Sequence, residues 1–258
     1  MYRDLGIKSI KTRKNHLCYG MGLGVIILDW INPGFPGDVR NASAYPFPIQ
    51  YEIAEGIDAQ ALIWAEDKSP CLEPIKRAAK KLEKIGCRAI VSECGYFGYF
   101  QKEIAESVDV PAFMSTLLQV PLAQQIVGAN KVVGVMVAFK DFLTEAHLKA
   151  VGIQPRSNYV LAGIKEADCC SGFMDLYMYP ETNLRQADYN LLEKELVEFA
   201  VDFYQAHPNM GAMVLECTGL PPFARAIQRA IDIPVFSAGS LLDYAYSVVV
   251  HRDYYGHV

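Results

Sequence analysis

Apolar positions along this chain fall into short unbroken runs separated by amphipathic stretches. Gly22–Asp29, Arg88–Ser92, Val110–Met114, Val132–Val137, Ala212–Leu215 and Val235–Phe236 read as strands. Most are apolar at successive residues, the pattern of strands covered on both faces. Gln60–Trp64 and Tyr159–Leu161 read as two shorter strands. Glu73–Ile85 places Ile75, Ala78, Ala79, Leu82 and Ile85 on one helical face and stops at Gly86. Tyr96–Ser107, Leu117–Val127, Thr144–Val151, Pro222–Ala230 and Leu241–His251 read as further helices, with Asp188–Ala206 the longest. Residues 32–53, NPGFPGDVRNASAYPFPIQYEI, read as one long irregular connection, of a length that usually carries function. Alternating strands and helices predict an α/β protein with parallel sheets.

Two of these stretches are copies of each other. Ala89–Phe113, AIVSECGYFGYFQKEIAESVDVPAF, aligns without a gap onto Ala212–Phe236, AMVLECTGLPPFARAIQRAIDIPVF, with nine of twenty-five positions identical. Glu93-Cys94 falls on Glu216-Cys217 at an offset of 123. The repeat predicts two similar lobes about a pseudo-two-fold axis. Ligands of open parallel sheets sit beyond the carboxyl ends of the strands, where both cysteines fall.

Composition narrows the partners. The 258 residues suffice for one large α/β domain or two small ones. A net charge of −5 speaks against nucleic acid and anionic membranes as partners. The basic start MYRDLGIKSIKTRKNH reads as a solvated extension rather than a targeting segment. The apolar run Gly24–Trp30 that follows is too short to span a membrane and contains Asp29. Seven cysteines without a C-x-x-C spacing suggest a reduced, cytoplasmic protein. Five scattered histidines give no metal-ligand spacing, and no metal is expected.

Each duplicated cysteine follows a strand and precedes a helix. Helix N-terminal amides are expected to lower its pKa from about 8.5 toward neutrality and to offer an anion site. Cys18, Cys71, Cys87, Cys169 and Cys170 read instead as ordinary small apolar residues. Two thiols facing one carbon can remove a proton on one side and return one on the other. Thr218 adds a hydroxyl donor, and Gly95 and Gly219 leave backbone amides open to a ligand. A non-catalytic small-molecule binding protein is the alternative of another class.

The segments GVIILDWINPGFPGDVRNASAYPFP, SECGYFGYFQKE with STLLQVP, VGVMVAFKDFLTEAHLKAVGI and VLECTGLPPFARAIQ resemble, in order, the aspartate/glutamate racemase superfamily. That group includes hydantoin racemase, maleate isomerase and arylmalonate decarboxylase. The resemblance implies two flavodoxin-like lobes with the site between them, and chemistry without pyridoxal phosphate or another cofactor. The lobes expected are 18–116, joined by about 240–258, and 117–239, with 1–17 as an extension. It implies Cys94 and Cys217 as the catalytic pair and Thr218 as a contact for a substrate carboxylate. Gly95-Tyr96 stand where amino-acid racemases commonly have Asn-Thr. The amides there, or Ser115 and Thr116, are therefore expected to take over carboxylate binding, and Asn41 to help orient it. Arg40 reads as an exposed loop arginine. Glu93 and Glu216 are expected to point away from the thiols. The function expected is inversion of a carbon beside a carboxylate, in an amino acid resembling aspartate or glutamate. Hydantoin racemisation, cis–trans isomerisation and decarboxylation are the alternatives on the same scaffold. A homodimer is expected.

Overall fold

The computed structural model describes residues 9–14, 16–178 and 185–254. Among the described residues the strands are β1 (Leu23–Leu28), β2 (Ile49–Ala54), β3 (Ala89–Ser92), β4 (Ala112–Phe113), β5 (Val132–Val137), β6 (Tyr159–Gly163), β7 (Met210–Leu215) and β8 (Val235–Phe236). They form two four-stranded sheets, ordered β2-β1-β3-β4 and β6-β5-β7-β8, with every pairing parallel. Each half therefore runs the same 2-1-3-4 order, and Ala89 and Ala212 hold equivalent places in it.

The α-helices are α1 (Leu72–Ile85), α2 (Gln101–Ala105), α3 (Gln119–Val127), α4 (Glu145–Ala150), α5 (Ser171–Met178), α6 (Tyr189–Gln205), α7 (Pro221–Ile231) and α8 (Ala238–Val249). The predicted apolar face of α1 is its buried one, and Gly86 ends it in the left-handed region at φ 113°. The helix after the fourth strand of each half crosses to the other sheet. Thus α3 packs on β5 and β7, while α8 packs on β1 and β3. Gln119 joins the two crossovers, donating to the Ser237 carbonyl at 2.9 Å and accepting from Ser240 at 2.8 Å. One apolar core runs through both sheets, and a second small cluster lies under α8 around Leu242 and Ala245.

Three sequence expectations need correction. The second strand is Ile49–Ala54, inside the stretch read as irregular, and Gln60–Trp64 is a single π-helical turn. As an edge strand, β2 is only half-buried, so it lacks the apolar run that marks its neighbours. The run at 60–64 is apolar because Leu62 and Ile63 are buried in a turn. The helix expected from Tyr96 begins as a 3-10 segment, Gly95–Phe100, before α2. Close packing constrains it: a Cβ on Gly98 would lie 2.8 Å from Ser115. Helix α5 has no counterpart in the sequence reading, being short and weakly amphipathic.

Candidate active site

Strand ends build the site. Leu28 and Trp30 follow β1, Ile63 and Trp64 sit in the turn after β2, and Cys94, Gly95 and Tyr96 follow β3. Ala138 and Phe139 follow β5, and Glu216 to Gly219 follow β7. Together they line one cavity of about 620 Å³, part of it open to solvent. Both duplicated cysteines therefore line one cavity, at the carboxyl ends of two parallel sheets.

The walls are aromatic on one side. The rings of Trp30 and Trp64 meet edge-on at 6.0 Å, as do Trp64 and Phe139, and Tyr96 lies 6.5 Å from Phe139. The Tyr96 hydroxyl donates to the Phe139 carbonyl at 2.7 Å and accepts from the Phe139 N–H at 3.0 Å, tying the two halves together. The Thr218 hydroxyl donates to the Glu93 carbonyl across the same seam.

Polar groups line the rest. Arg40 is largely buried rather than exposed: its Nε donates to Glu93 Oε1 at 2.7 Å, and it also donates to the Trp30 carbonyl. Glu93 Oε2 accepts the Leu28 N–H at 3.0 Å. Asp38 Oδ1 accepts the Arg40 N–H at 2.7 Å, and burial pushes Asp38 up to about 7. Glu216 is fully buried, neither carboxyl oxygen makes a full hydrogen bond among the described residues, and burial pushes it up to about 8 against the pull of the Ala138 N–H. Both glutamates line the cavity instead of pointing away from it. Their strands end at Ser92 and Leu215, so strand alternation does not extend to them.

The thiols also differ from expectation. Burial, then the Glu93 and Glu216 carboxylates, hold Cys94 well above its ordinary value, against the Tyr96 N–H. Burial and then Glu216 raise Cys217 likewise, against the Gly219 N–H. The opposing amides stand at matching places in the repeat. No α-helix begins at either sulfur: Cys94 leads into a 3-10 turn, and α7 starts only at Pro221. The expected dipole is thus too weak to offset desolvation.

Of the other expected residues, Gly95, Tyr96, Thr218 and Gly219 line the cavity, whereas Asn41, Ser115 and Thr116 do not. Asn41 caps a short turn, accepting from the Ser43 N–H and donating to the Gly34 carbonyl at 3.1 Å. Ser115 is buried as the cap for the Leu117 N–H, and Thr116 is buried beside it. Sequence reasoning missed Trp30, Trp64 and Phe139. Their signal is position: Trp30 and Phe139 stand two residues past the ends of β1 and β5, and Trp64 is the last residue of the turn that follows β2.

One measurable consequence concerns stability. Glu216 and Asp38 hold protons more tightly folded than unfolded, rising from 4.5 to about 8 and from 3.8 to about 7. Stability from their protonation is complete below the unfolded values and lost as pH climbs through 7 and 8. Urea denaturation across this range should show a falling unfolding free energy, and Glu216→Gln should remove the upper part of the fall. An unchanged slope in that variant contradicts the assignment.

No protein-family model matches the chain. Its fold is shared with solved structures of a decarboxylase and of racemases. Arylmalonate decarboxylase superposes with a TM-score of 0.57 at 16% identity, over 90% of this chain and 94% of that one. Allantoin racemase from Klebsiella pneumoniae gives 0.58 at 18% identity, over 89% and 87%. Glutamate racemase from Bacillus anthracis gives 0.56 at 13%, over 89% and 81%. By sequence, the chain is similar to a dimethylsulfoniopropionate lyase from Durusdinium sp. clade D. The two are 28% identical over 221 residues, 84% of this chain and 71% of the relative. Dimethylsulfoniopropionate lyase 3 of Emiliania huxleyi is 27% identical over 224 residues, 84% of this chain. The chain spans only 56% of that relative's length. These relatives and structural neighbours are enzymes, and the sequence relatives carry a lyase name rather than that of an amino-acid racemase.

Proposed function

We propose that this chain is a carbon-acid lyase acting on dimethylsulfoniopropionate or a closely similar onium carboxylate. A base removes a proton from the carbon beside the carboxylate. The C–H electron pair becomes a carbon–carbon double bond, and the carbon–sulfur bond breaks to release dimethyl sulfide. The observation that carries this reading is the aromatic wall of Trp64, Tyr96 and Phe139 in the cavity that both cysteines line, beside Trp30, whose ring already carries the Arg185 guanidinium at 4.6 Å. Ring faces attract a desolvated cation by about 2 kcal/mol, and dimethylsulfoniopropionate carries a permanent cation on sulfur, at the end of the molecule away from its carboxylate. A cation held there also favours the thiolate of a neighbouring cysteine, offsetting the burial that raises both thiols.

Inversion at a carbon next to a carboxylate is the second reading. It is favoured by the two sulfurs reaching one cavity from duplicated halves. One experiment separates the two. The purified protein is given dimethylsulfoniopropionate and the headspace is measured for dimethyl sulfide. In parallel, L-amino acids and hydantoins in deuterated buffer are followed by NMR for loss of the α-proton. Dimethyl sulfide without exchange supports the lyase. Exchange without dimethyl sulfide replaces it with the racemase.

A further inference from the structure

We infer that Glu216 is the proton acceptor of Cys94, taking the thiol proton to make the base and then carrying it out of the pocket. The inference rests on the elimination reading above. Glu93 and Glu216 occupy equivalent places in the repeat, one residue before each cysteine, but their carboxyls are used differently. Glu93 is committed on both oxygens, to Arg40 at 2.7 Å and to the Leu28 N–H at 3.0 Å. Glu216 is 0% exposed and lines the same cavity, with the Ala138 N–H beside it but neither oxygen in a full hydrogen bond among the described residues. Its side chain crosses from the C-terminal half to the N-terminal one. A Cβ on Gly95 would meet Glu216 Oε1 at 2.0 Å, so the carboxyl rests against the residue bonded to Cys94. A buried carboxyl without a full hydrogen bond lowers stability, and such a group calls for an explanation.

The reaction supplies one. Inversion returns as many protons as it takes, whereas elimination leaves one behind in every turnover. The thiol proton of Cys94 passes to the Glu216 carboxylate. The thiolate then takes the substrate's α-proton, the double bond forms, and dimethyl sulfide departs with the electron pair of its broken bond. Cys94 is a thiol again, Glu216 is protonated, and loss of that one proton to solvent resets the site.

Other charged groups around it are already engaged. Arg40 pairs with Glu93, Asp38 accepts the Arg40 N–H, and the Tyr96 hydroxyl is held by Phe139. Cys217 lines the cavity from Glu216's own strand end. His147 packs behind Tyr96, its pKa lowered by burial to about 4, so it stays neutral. Glu216, pushed to about 8, loses its proton before Cys94 as pH rises, as an acceptor for that thiol must.

The test uses Glu216→Gln and Glu216→Asp in the full chain, with thermal unfolding confirming that each is folded. Two quantities are read against pH: kcat for dimethyl sulfide release, and iodoacetamide alkylation of Cys94 followed by mass spectrometry. Glu216→Gln should lower kcat roughly a hundredfold or more and abolish the rising limb near pH 8. Cys94 should nonetheless alkylate at lower pH than in the wild type, because a neighbouring negative charge is gone. Glu216→Asp should keep the limb and part of the rate. A purely structural role predicts no loss of rate when the thiol becomes more reactive. Wild-type kcat in Glu216→Gln, or a persisting limb, overturns the inference. If the wild type releases no dimethyl sulfide, the elimination reading fails by itself, and alkylation alone decides Glu216. An unmoved Cys94 profile in Glu216→Gln then overturns its coupling to the thiol, and a shifted one supports it.

Discussion

Cys94→Ala is expected to lower dimethyl sulfide release by roughly two to four orders of magnitude, the range lost when a positioned base is removed. Cys217→Ala is expected to be distinctly milder. Elimination needs one base, and dimethyl sulfide leaves as a neutral molecule that requires no acid. Cys94 is the thiol whose neighbour, Gly95, carries the Glu216 carboxyl against its backbone. For inversion the outcome differs, since each thiol then serves one face of the carbon and either loss is equally severe. Steady-state rates of the two single variants on the same substrate therefore report the reaction class as well as the residues. Equal losses count against elimination.

Arg40→Leu is the second large effect, and it falls on stability. The Arg40 and Glu93 side chains are only 15% and 12% exposed. Removing the guanidinium leaves Glu93 with one N–H donor, from Leu28, and no counter-charge. Breaking one side of a buried pair typically costs about 3–5 kcal/mol. Urea denaturation at neutral pH should show a loss of that order. The double variant Arg40→Leu/Glu93→Leu should recover much of it, because no charge is then stranded. If the double variant is no more stable than Arg40→Leu alone, the pair is not what holds this loop.

The repeat around the cysteines was the most legible part of the chain. An ungapped offset of 123 in sequence became the same strand order in both sheets, with β4 and β8 matching residue for residue. Strand alternation and dipole arguments were the weak tools. Alternation stopped at Ser92 and Leu215, one residue short of each glutamate, and so misplaced both carboxyls. A helix dipole acts only where an α-helix begins at the sulfur, whereas Cys94 leads into a 3-10 turn and three residues separate Cys217 from Pro221. Arg40 looked like a loop arginine because its partner lies 53 positions away, beyond any local pattern. The aromatic wall was hidden for the same reason, since Trp30, Trp64 and Phe139 come from three separate segments.

The exchange of α3 and α8 carries a consequence for how such a pocket could arise. A half-length ancestor lending its last helix to a twin would have been an intertwined dimer, with its ligand on the symmetry axis. Every side chain there would have come in identical copies, so no single group could specialise. Within one polypeptide that restriction does not hold: Glu93 pairs with Arg40, whereas Glu216 has no ion pair among the described residues.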